Sequence, residues 1–348
     1  MASIFTIRHP SVARKPAIRR RLLDKLRSAA MLMSYLPSAA FGVGVTVAHT
    51  QEWPTRPVKV VVPYGAGGVS DVFGRITADR LTKMLAKPFV VESRGGAGGA
   101  IGTEYAARSP PDGYTVYFAG GGQFSVVPLI QKLNYDPVKD LTPVSMVTLN
   151  GMAFAVNNDL PAHSIQEFVA YARANPGKIN YGATGLGASS HLAPAAFAAR
   201  ERLNMVVVPY TATPPSIVAL LNGTIQLFFG NVSDILGSVR AGKVRLLAFS
   251  TEKRLPQFPD IPTVSETVPN FVMTGWNGYF APAGTPRAII DRLAQAIATV
   301  CHDPEVVKLM SELGADAVGS TPEELAAAIR ADLPIYRAAV EAAGLMRK

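Results

Sequence analysis

The stretch VVVPYGAGGVSD, Val60–Asp71, reads as a buried strand, a glycine-rich turn and the start of a helix. The valines favour a β-strand, and Pro63 ends it because proline cannot donate a hydrogen bond to a sheet. Gly65, Gly67 and Gly68 lack Cβ atoms, so backbone N–H groups there can approach a ligand closely. The following helix adds unpaired N–H groups and the positive end of its dipole. The stretch therefore predicts a binding site for a carboxylate or phosphate.

The same order of strand, glycine-rich loop and helix returns in INYGATGLGASSHLA, Ile179–Ala193. Its loop adds hydroxyl groups, of which those of Ser189 and Ser190 are placed to cap the helix, donate to a ligand, or both. A third glycine-rich stretch, Ala119–Ser125, follows another apolar run. Ligands of parallel sheets bind beyond the carboxyl ends of the strands, so we expect the three stretches to border one cleft.

Beyond residue 50, apolar runs of strand length alternate with helix-like runs, which predicts an α/β fold with a mostly parallel sheet flanked by helices. The predicted strands are Val58–Pro63, Phe89–Glu92, Thr115–Ala119, Phe154–Val156, Ile179–Gly182, Val206–Pro209, Ile225–Phe229 and Val244–Ser250. The predicted helices are Asp71–Leu85, Ala100–Arg108, Ser164–Asn175, Ser190–Leu203, Pro215–Asn222, Val232–Ala241, Pro286–Val300, Pro304–Leu313 and Pro322–Ala343.

The basic charge of the chain is concentrated at its N-terminus. The 348 residues suffice for two domains, and a composition of 48% hydrophobic and 17% charged residues indicates a large core. Of the formal net charge of +9, residues 1–28 contribute +7, from eight basic residues against Asp24, which leaves +2 for the rest. The high isoelectric point therefore argues little for a nucleic-acid groove, and no nucleic-acid partner is expected.

The basic head precedes an apolar stretch, Ala29–Ala48, that ends in small residues. This order is typical of a cleavable secretory signal, so residues 1–48 are predicted to be a signal peptide for export to the periplasm. The alternative is a membrane anchor, but Pro37, Gly42 and Gly44 interrupt a stretch that is short for a bilayer span. The segment Arg19–Leu23 leaves both the general secretory and the twin-arginine routes open.

The few cysteine and histidine residues limit the chemistry. Cys301 is the only cysteine, so no intrachain disulfide can form, and it is predicted to pack inside a helical layer. The five histidines show no metal-ligand spacing, so neither a metal nor a cofactor is expected. Gly185-Leu186-Gly187 begins like a dinucleotide fingerprint, but Ser190 occupies the third glycine position and no acid follows the next strand.

Six motifs together resemble the Bug family, the periplasmic solute-binding proteins of tripartite tricarboxylate transporters. They are WPTRPVKVVVPYGAGGVSD, VVESRGGAGGAIGTEYAARSPPDGYT, LNYDPVKDLTPVSMV, NPGKINYGATGLGASSHLA, FPDIPTVSE and WNGYFAPAGTPRAII. The resemblance extends from about residue 52 to the C-terminus. It implies a two-lobed, type II periplasmic-binding-protein fold, with residues 51–149 and 274–348 in lobe one, residues 150–273 in lobe two, and a hinge near Leu149–Asn150 and Met273–Thr274.

The resemblance implies that the two strand–loop–helix units grip a carboxylate of the ligand. The far wall of the cleft is expected at the ends of two further strands. The predicted ligand-binding residues are Tyr64, Gly65, Ala66, Gly67, Gly68, Ser70, Asp71, Gly121, Gln123, Thr184, Gly185, Gly187, Ser189, Ser190, His191, Tyr210, Thr211 and Asn231. For two of these residues, the alternative to ligand contact is a purely structural role. Asp71 would then be a helix N-cap, and His191 would be a helix residue bonded to a backbone carbonyl.

The chain departs from the family pattern at several cleft positions. Tyr64 replaces a phenylalanine, and Ala188 stands where a hydroxyl residue is common. Thr211 replaces the lysine of a lysine–glycine pair, and Gly230 replaces an acid. Without that acid, a plain carboxylate is expected as ligand rather than one that carries an ammonium group.

The sequence therefore predicts an exported, monomeric, non-enzymatic binding protein. Its expected partners are a small organic anion, which includes mono-, di- and tricarboxylates and aromatic acids, and the membrane subunits of a transporter. One alternative is a sensor subunit that presents its closed form to a membrane receptor. The other is an α/β enzyme that uses Ser189, His191 and Asp71, although Ser189 and His191 are two residues apart on a helix and face different ways.

We expect the native mature protein to begin between about residues 41 and 51, because signal cleavage follows the small residues at the end of the apolar stretch. N-terminal sequencing of protein recovered from the periplasm measures this directly. Recovery of cytoplasmic protein that retains Met1 would contradict the predicted export.

Overall fold

The computed structural model describes residues 53–347, except positions 67, 185, 186, 211, 212 and 256. The predicted signal peptide lies outside the described residues, as do Gly67, Gly185 and Thr211 of the predicted site. Within the described residues, no helix reaches the length and hydropathy required of a bilayer-spanning segment.

The strands of the described residues form one sheet. They are β1 (Val58–Val62), β2 (Phe89–Ser93), β3 (Thr115–Gly120), β4 (Leu141–Val156), β5 (Ile179–Ala183), β6 (Met205–Pro209), β7 (Leu227–Asn231), β8 (Arg245–Phe249), β9 (Thr274–Pro282) and β10 (Ala315–Ala317). Their order is β2-β1-β3-β9-β4-β7-β5-β6, and β8 and β10 also pair with β4. On the two flanks, β1 pairs parallel with β2 and β3, and β5 pairs parallel with β6 and β7. Between them, β4 and β9 pair antiparallel.

Helices connect the strands and cover the sheet. They are α1 (Val69–Leu85), α2 (Ala100–Ala107), α3 (Gly122–Ser125), α4 (Val127–Ile130), α5 (Pro137–Asp140), α6 (Ile165–Ala174), α7 (Ser189–Glu201), α8 (Thr213–Leu221), α9 (Val232–Arg240), α10 (Arg287–Cys301), α11 (Pro304–Glu312) and α12 (Pro322–Ala342). Helix α12 begins with a capping box between Thr321 and Glu324. A second proline, Pro334, lies inside α12.

The predicted α/β alternation is confirmed, and the ends of the predicted elements lie within two residues of those observed, apart from one strand. That strand, Phe154–Val156, is the end of the much longer β4. Pro143, Asn150 and Gly151 interrupt the apolar pattern of β4, and β9 contains Gly275 and other weak strand formers. Pairing between the two strands overrides these local preferences.

The hydrophobic core falls into two groups of clusters. One group joins residues 53–147 with residues 276–329, and the other is drawn mainly from residues 152–273. The end of α12 packs with the second group through Tyr336, Ala339 and Val340. Strand β4 runs from the first group into the second, so it joins the two cores without a break in its backbone.

Cys301, at the end of α10, is buried in the first group of clusters, as predicted for a helix-packed thiol. Burial raises the pKa of the thiol to about 12, so the thiolate does not form at neutral pH. Its Sγ lies 3.7 Å from the carbonyl oxygen of Val147. The residue is therefore part of the packing between α10 and β4.

We expect Phe154→Ala to lower the free energy of unfolding by about 3–5 kcal/mol. Phe154 is fully buried, and its ring centroid lies 4.8–5.0 Å from those of Phe168, Phe197 and Phe229. Urea denaturation of the mature protein measures the loss. Val207→Ala, on the exposed face of β6, is the control and is expected to change the value by less than about 0.5 kcal/mol. Equal losses in the two variants would contradict this description of the core.

Candidate ligand-binding site

A cavity of about 480 Å³ lies where β1, β3, β5 and β7 end and the helices after them begin. Its walls combine backbone from glycine-rich loops, a few polar side chains and an apolar patch. The residues that line it are Tyr64, Gly68, Val69, Ser70, Gly98, Gly120, Gly121, Gly122, Gln123, Val126, Val127, Ile130, Asn150, Met152, Thr184, Gly187, Ala188, Ser189, Thr213, Asn231, Asp234, Gly275, Trp276, Asn277 and Tyr336.

The structure brings half of the predicted site residues to this cavity. Those that line it are Tyr64, Gly68, Ser70, Gly121, Gln123, Thr184, Gly187, Ser189 and Asn231. The other predicted residues within the described part of the chain, namely Gly65, Ala66, Asp71, Ser190, His191 and Tyr210, are not among the lining residues. The three predicted stretches therefore do meet at one cavity, although not every residue in them faces it.

The first loop ends at Gly68, which is the N-cap of α1 and supplies no side-chain cap. The interpretation of Asp71 as an N-cap is wrong, because it lies inside the first turn of α1. Its buried carboxylate accepts hydrogen bonds from Arg75 Nε and Ser93 Oγ, both at 2.9 Å. Asp71 thus ties α1 to β2 and leaves the start of the helix uncapped toward the cavity.

Ser70 holds α1 against the central strands. Its hydroxyl donates to Asn277 Oδ1 at 2.7 Å, and Asn277 Nδ2 donates to Thr148 Oγ1 at 3.2 Å. Because the Ser70 hydroxyl proton is engaged, Ser70 can offer a bound anion its backbone N–H but not its hydroxyl. The network fixes the position of that N–H relative to β4 and β9.

The second loop repeats the arrangement with Ala188 as the N-cap of α7, again without a side-chain cap. The hypothesis that Ser189 or Ser190 caps the helix is therefore wrong. Ser190 Oγ is buried and closes the loop, since it accepts from the Thr184 N–H at 3.0 Å and lies 2.9 Å from Thr184 Oγ1. Ser189, in contrast, faces the cavity.

Gly187 must be glycine at this site. Its φ is +76°, and a Cβ atom there would come within 2.9 Å of Val126 and 3.0 Å of Ile130. The backbone of the second loop can pack against the apolar segment that follows β3 only because no side chain intervenes. This contact brings the second and third predicted stretches together.

Gln123 organises the loops and is almost fully buried. Its Nε2 donates to the Tyr64 hydroxyl at 2.7 Å and to the Gly98 carbonyl at 2.9 Å, while its Oε1 accepts from Thr103 at 3.0 Å. Both the nitrogen and the oxygen of the Gln123 side-chain amide are thus engaged in hydrogen bonds within the protein. It positions Tyr64 and the loop before α2 at the edge of the cavity.

His191 is buried on α7, and its Nδ1 has no hydrogen-bond partner within the described residues. Burial lowers the pKa of the imidazole, which favours the neutral form. Among the described residues, no carbonyl oxygen is bonded to the Nδ1 atom of His191, so the hydrogen bond predicted to a backbone carbonyl is not found at that atom. The ring packs beside Tyr181, with centroids 6.5 Å apart, and neither residue is among those that line the cavity.

Sequence reasoning missed the residues that β4, β9 and α12 contribute. Trp276 lines the cavity, and its Nε1 donates to Asp332 of α12 at 2.7 Å. Tyr336, one helical turn further, donates its hydroxyl to the Thr274 carbonyl at 3.0 Å. No local pattern marks these residues, because strands far apart in sequence assemble this wall.

Asn150 and Asp234 were also missed. The Oδ1 atom of Asn150 is buried without a hydrogen-bond partner in the described part of the chain, an arrangement that costs about 1–3 kcal/mol while it stays unpaired. Asp234 follows the strand-terminal Asn231 by three residues, a spacing that could have placed it beside the cavity. Burial raises the pKa of Asp234 to about 6, while a hydrogen bond from Asn231 acts to lower it.

The cavity has a characteristic charge distribution. None of the described residues that line it is Lys, Arg or His, and the sequence positions outside the description in these loops are uncharged. Positive potential in the cavity can therefore come only from backbone N–H groups, such as those in the first turns of α1, α7 and α9. Among the described residues, no cluster of three His, Cys, Asp or Glu side chains could hold a metal ion.

Comparison with known proteins identifies the family of this chain. The model of the Tripartite tricarboxylate transporter family receptor matches residues 73–345. A UPF0065 protein of Bordetella bronchiseptica is 32% identical over 331 residues, which is 95% of this chain and 98% of that protein. The protein BugT of Bordetella pertussis is 30% identical over 329 residues, which is 94% of this chain and 100% of that protein.

Solved structures give the same result. R. palustris Rpa4515 with adipate is 31% identical and has a TM-score of 0.77 over 84% of this chain and 98% of its own. The periplasmic binding protein BugD is 32% identical and has a TM-score of 0.74 over 85% of this chain and 100% of its own. As its resemblance to the Bug proteins predicted, the chain belongs to the tripartite tricarboxylate transporter receptor family.

Proposed function

We propose that this protein is a periplasmic solute-binding protein that captures a small organic carboxylate and passes it to the membrane subunits of a tripartite transporter. One observation carries the proposal: α1 and α7 both begin at the same cavity without a side-chain cap. Each helix offers N–H groups with no intrahelical partner, together with the positive end of its dipole. Two such ends suit the two oxygens of one carboxylate.

The comparisons support this proposal. The family is one of transporter receptors, Rpa4515 was solved with adipate, and BugD is a periplasmic binding protein. The basic head and apolar stretch within residues 1–48 are consistent with export to that compartment. A dedicated anion site without basic side chains also fits capture followed by release, since it avoids long-lived ion pairs.

Binding without turnover is the activity that the candidate catalytic residues favour. Ser189 lines the cavity, but His191 is buried and does not line it, and Asp71 is engaged by Arg75 and Ser93. A nucleophile requires a base within hydrogen-bond reach and a group that orients the base. These three residues do not supply that arrangement.

We propose that the two groups of core clusters are the two lobes, residues 51–149 with 274–348 and residues 150–273. The clusters divide close to Leu149–Asn150, where β4 crosses from one group to the other, and close to Met273–Thr274, where β9 begins. The cavity draws residues from both groups, so ligand contacts would favour a closed arrangement.

We expect Gly68→Val to weaken carboxylate binding by at least about tenfold, because a branched side chain would stand where an anion reaches the first turn of α1. Folding should suffer less, since the added Cβ has Gly65 O, at 3.6 Å, as its only neighbour within 4 Å among the described residues. A thermal-shift screen of mono-, di- and tricarboxylates identifies the probe, and calorimetry then gives its affinity for both proteins.

The control for this experiment is Gly237→Val, on the exposed face of α9, where an added Cβ has no described neighbour within 4 Å. It should bind the probe as the unmodified protein does. A screen in which no carboxylate raises the melting temperature would overturn the proposed function. Unchanged affinity in Gly68→Val would remove the first loop from the site.

We expect the affinity for the probe to fall by less than about threefold between about 0.01 M and about 0.1 M salt. The Debye length shrinks from about 30 Å to about 10 Å over that range, but amides in direct contact with the ligand lie well inside either length. Calorimetry at the two salt concentrations measures the ratio. Loss of binding at the higher salt would indicate attraction by distant basic side chains instead.

A further inference from the structure

Three hydrogen-bond acceptors gather on one wall of the cavity. Asn150 comes from β4, Asn231 ends β7, and Asp234 lies in the first turn of α9. Gly275, the register partner of Asn150, brings the two asparagines together. A Cβ atom on Gly275 would lie 3.6 Å from Asn231 Oδ1 and 4.0 Å from the Asn150 Cβ, so the missing side chain leaves this wall open to a ligand.

The Asn150 oxygen lacks a donor. The residue is 95% buried and lines the cavity, yet its Oδ1 has no hydrogen-bond partner among the residues that the structure describes. Buried polar atoms are rarely left unpaired in native proteins. A ligand that donates a hydrogen bond at this point would satisfy the atom, whereas a second ligand carboxylate would place an acceptor against an acceptor.

Asp234 adds a charge to the same wall. It is the only ionisable group besides Tyr64 and Tyr336 among the described residues that line the cavity, and no basic side chain there compensates it. Burial raises the pKa of Asp234 toward neutrality, as expected for a carboxylate without a cationic partner. A ligand hydroxyl could donate to Asn150 but would leave this charge unbalanced. A protonated amine would donate a hydrogen bond to Asn150 and also balance the charge of Asp234.

We propose that Asn150, Asn231 and Asp234 form a subsite for a protonated amine, so that the ligand is an amino acid rather than a plain carboxylate. The inference rests on the proposed function, because the ligand's carboxylate is taken to bind at the starts of α1 and α7. It replaces the expectation of a plain carboxylate, which was based on the glycine at position 230.

The structure explains why the acid does not occupy position 230. A Cβ atom on Gly230 would come within 2.8 Å of the Phe228 ring and 3.3 Å of the Ser190 Cβ. A side chain at this position would require the buried Phe228 ring to move. Asp234, in the first turn of α9, brings a carboxylate to the same wall instead.

The test compares ligands that differ only in the group that replaces the ammonium. The probes are three sets: aspartate, malate and succinate; glutamate, 2-hydroxyglutarate and glutarate; phenylalanine, 3-phenyllactate and 3-phenylpropanoate. Calorimetry on the mature protein should show that an amino acid binds at least about tenfold more tightly than the other two members of its set.

Asp234→Asn is the variant that isolates the charge, since it keeps the shape of the side chain. It should lower the affinity for the preferred amino acid by at least about tenfold and leave the affinity for its deaminated counterpart equal or higher. Asn150→Ala should also weaken the amino acid selectively. Asp260→Asn, an exposed acid-to-amide change, is the matched control and should alter neither affinity.

The outcomes separate this inference from the proposed function. If plain acids bind and no amino acid binds more tightly, or if Asp234→Asn leaves the ranking unchanged while its thermal unfolding remains normal, the amine subsite is overturned and the carboxylate receptor stands. If no member of any set binds, and the wider carboxylate screen is also negative, both proposals fail.

Discussion

The antiparallel pairing of β4 with β9 is the constraint on which the remaining structure depends. It extends over nine register pairs, from Leu141 opposite Pro282 to Gly151 opposite Thr274. The parallel strands on either flank attach to this ladder through β3 on one side and β7 on the other. Because the ladder fixes which residues stand opposite one another, it also fixes the floor of the cavity, where Asn150 faces Gly275 and Thr148 faces Asn277.

In the cavity, hydrogen-bond donors and hydrogen-bond acceptors come from different parts of the protein. Uncapped helix starts at Gly68 and Ala188 supply donors through the backbone, which carries no formal charge. Side chains of Asn150, Asn231 and Asp234 supply acceptors on another wall. Backbone donors are held by secondary structure and cost little reorganisation on binding, whereas the acceptor wall depends on individual side chains. In the proposed site, replacement of single side chains would therefore change selectivity and leave the backbone donors in place.

The sequence alone was enough to predict those parts of the site whose residues follow one another closely in the chain. Strand, glycine loop and helix start are contiguous, so Gly68, Gly187 and Ser189 could be predicted from their own neighbourhoods. The roles of Asp71 and Ser190 could not, because they depend on Ser93 of another strand and on the closing of a loop. Trp276 and similar lining residues on β9 and α12 carry no local signal, since their position follows from strand pairing across more than a hundred residues.

Helix α12 touches both hydrophobic cores, with Leu325 and Ile329 in one and Tyr336 and Val340 in the other. Pro334 lies between these contacts; it removes one helical hydrogen bond and crowds the preceding turn. Any relative movement of the cores would strain this helix as well as β4, and the turn at Pro334 is where the helix would bend most easily. A bend there would let the part of α12 that holds Leu325 and Ile329 stay with one core while the part that holds Tyr336 and Val340 follows the other.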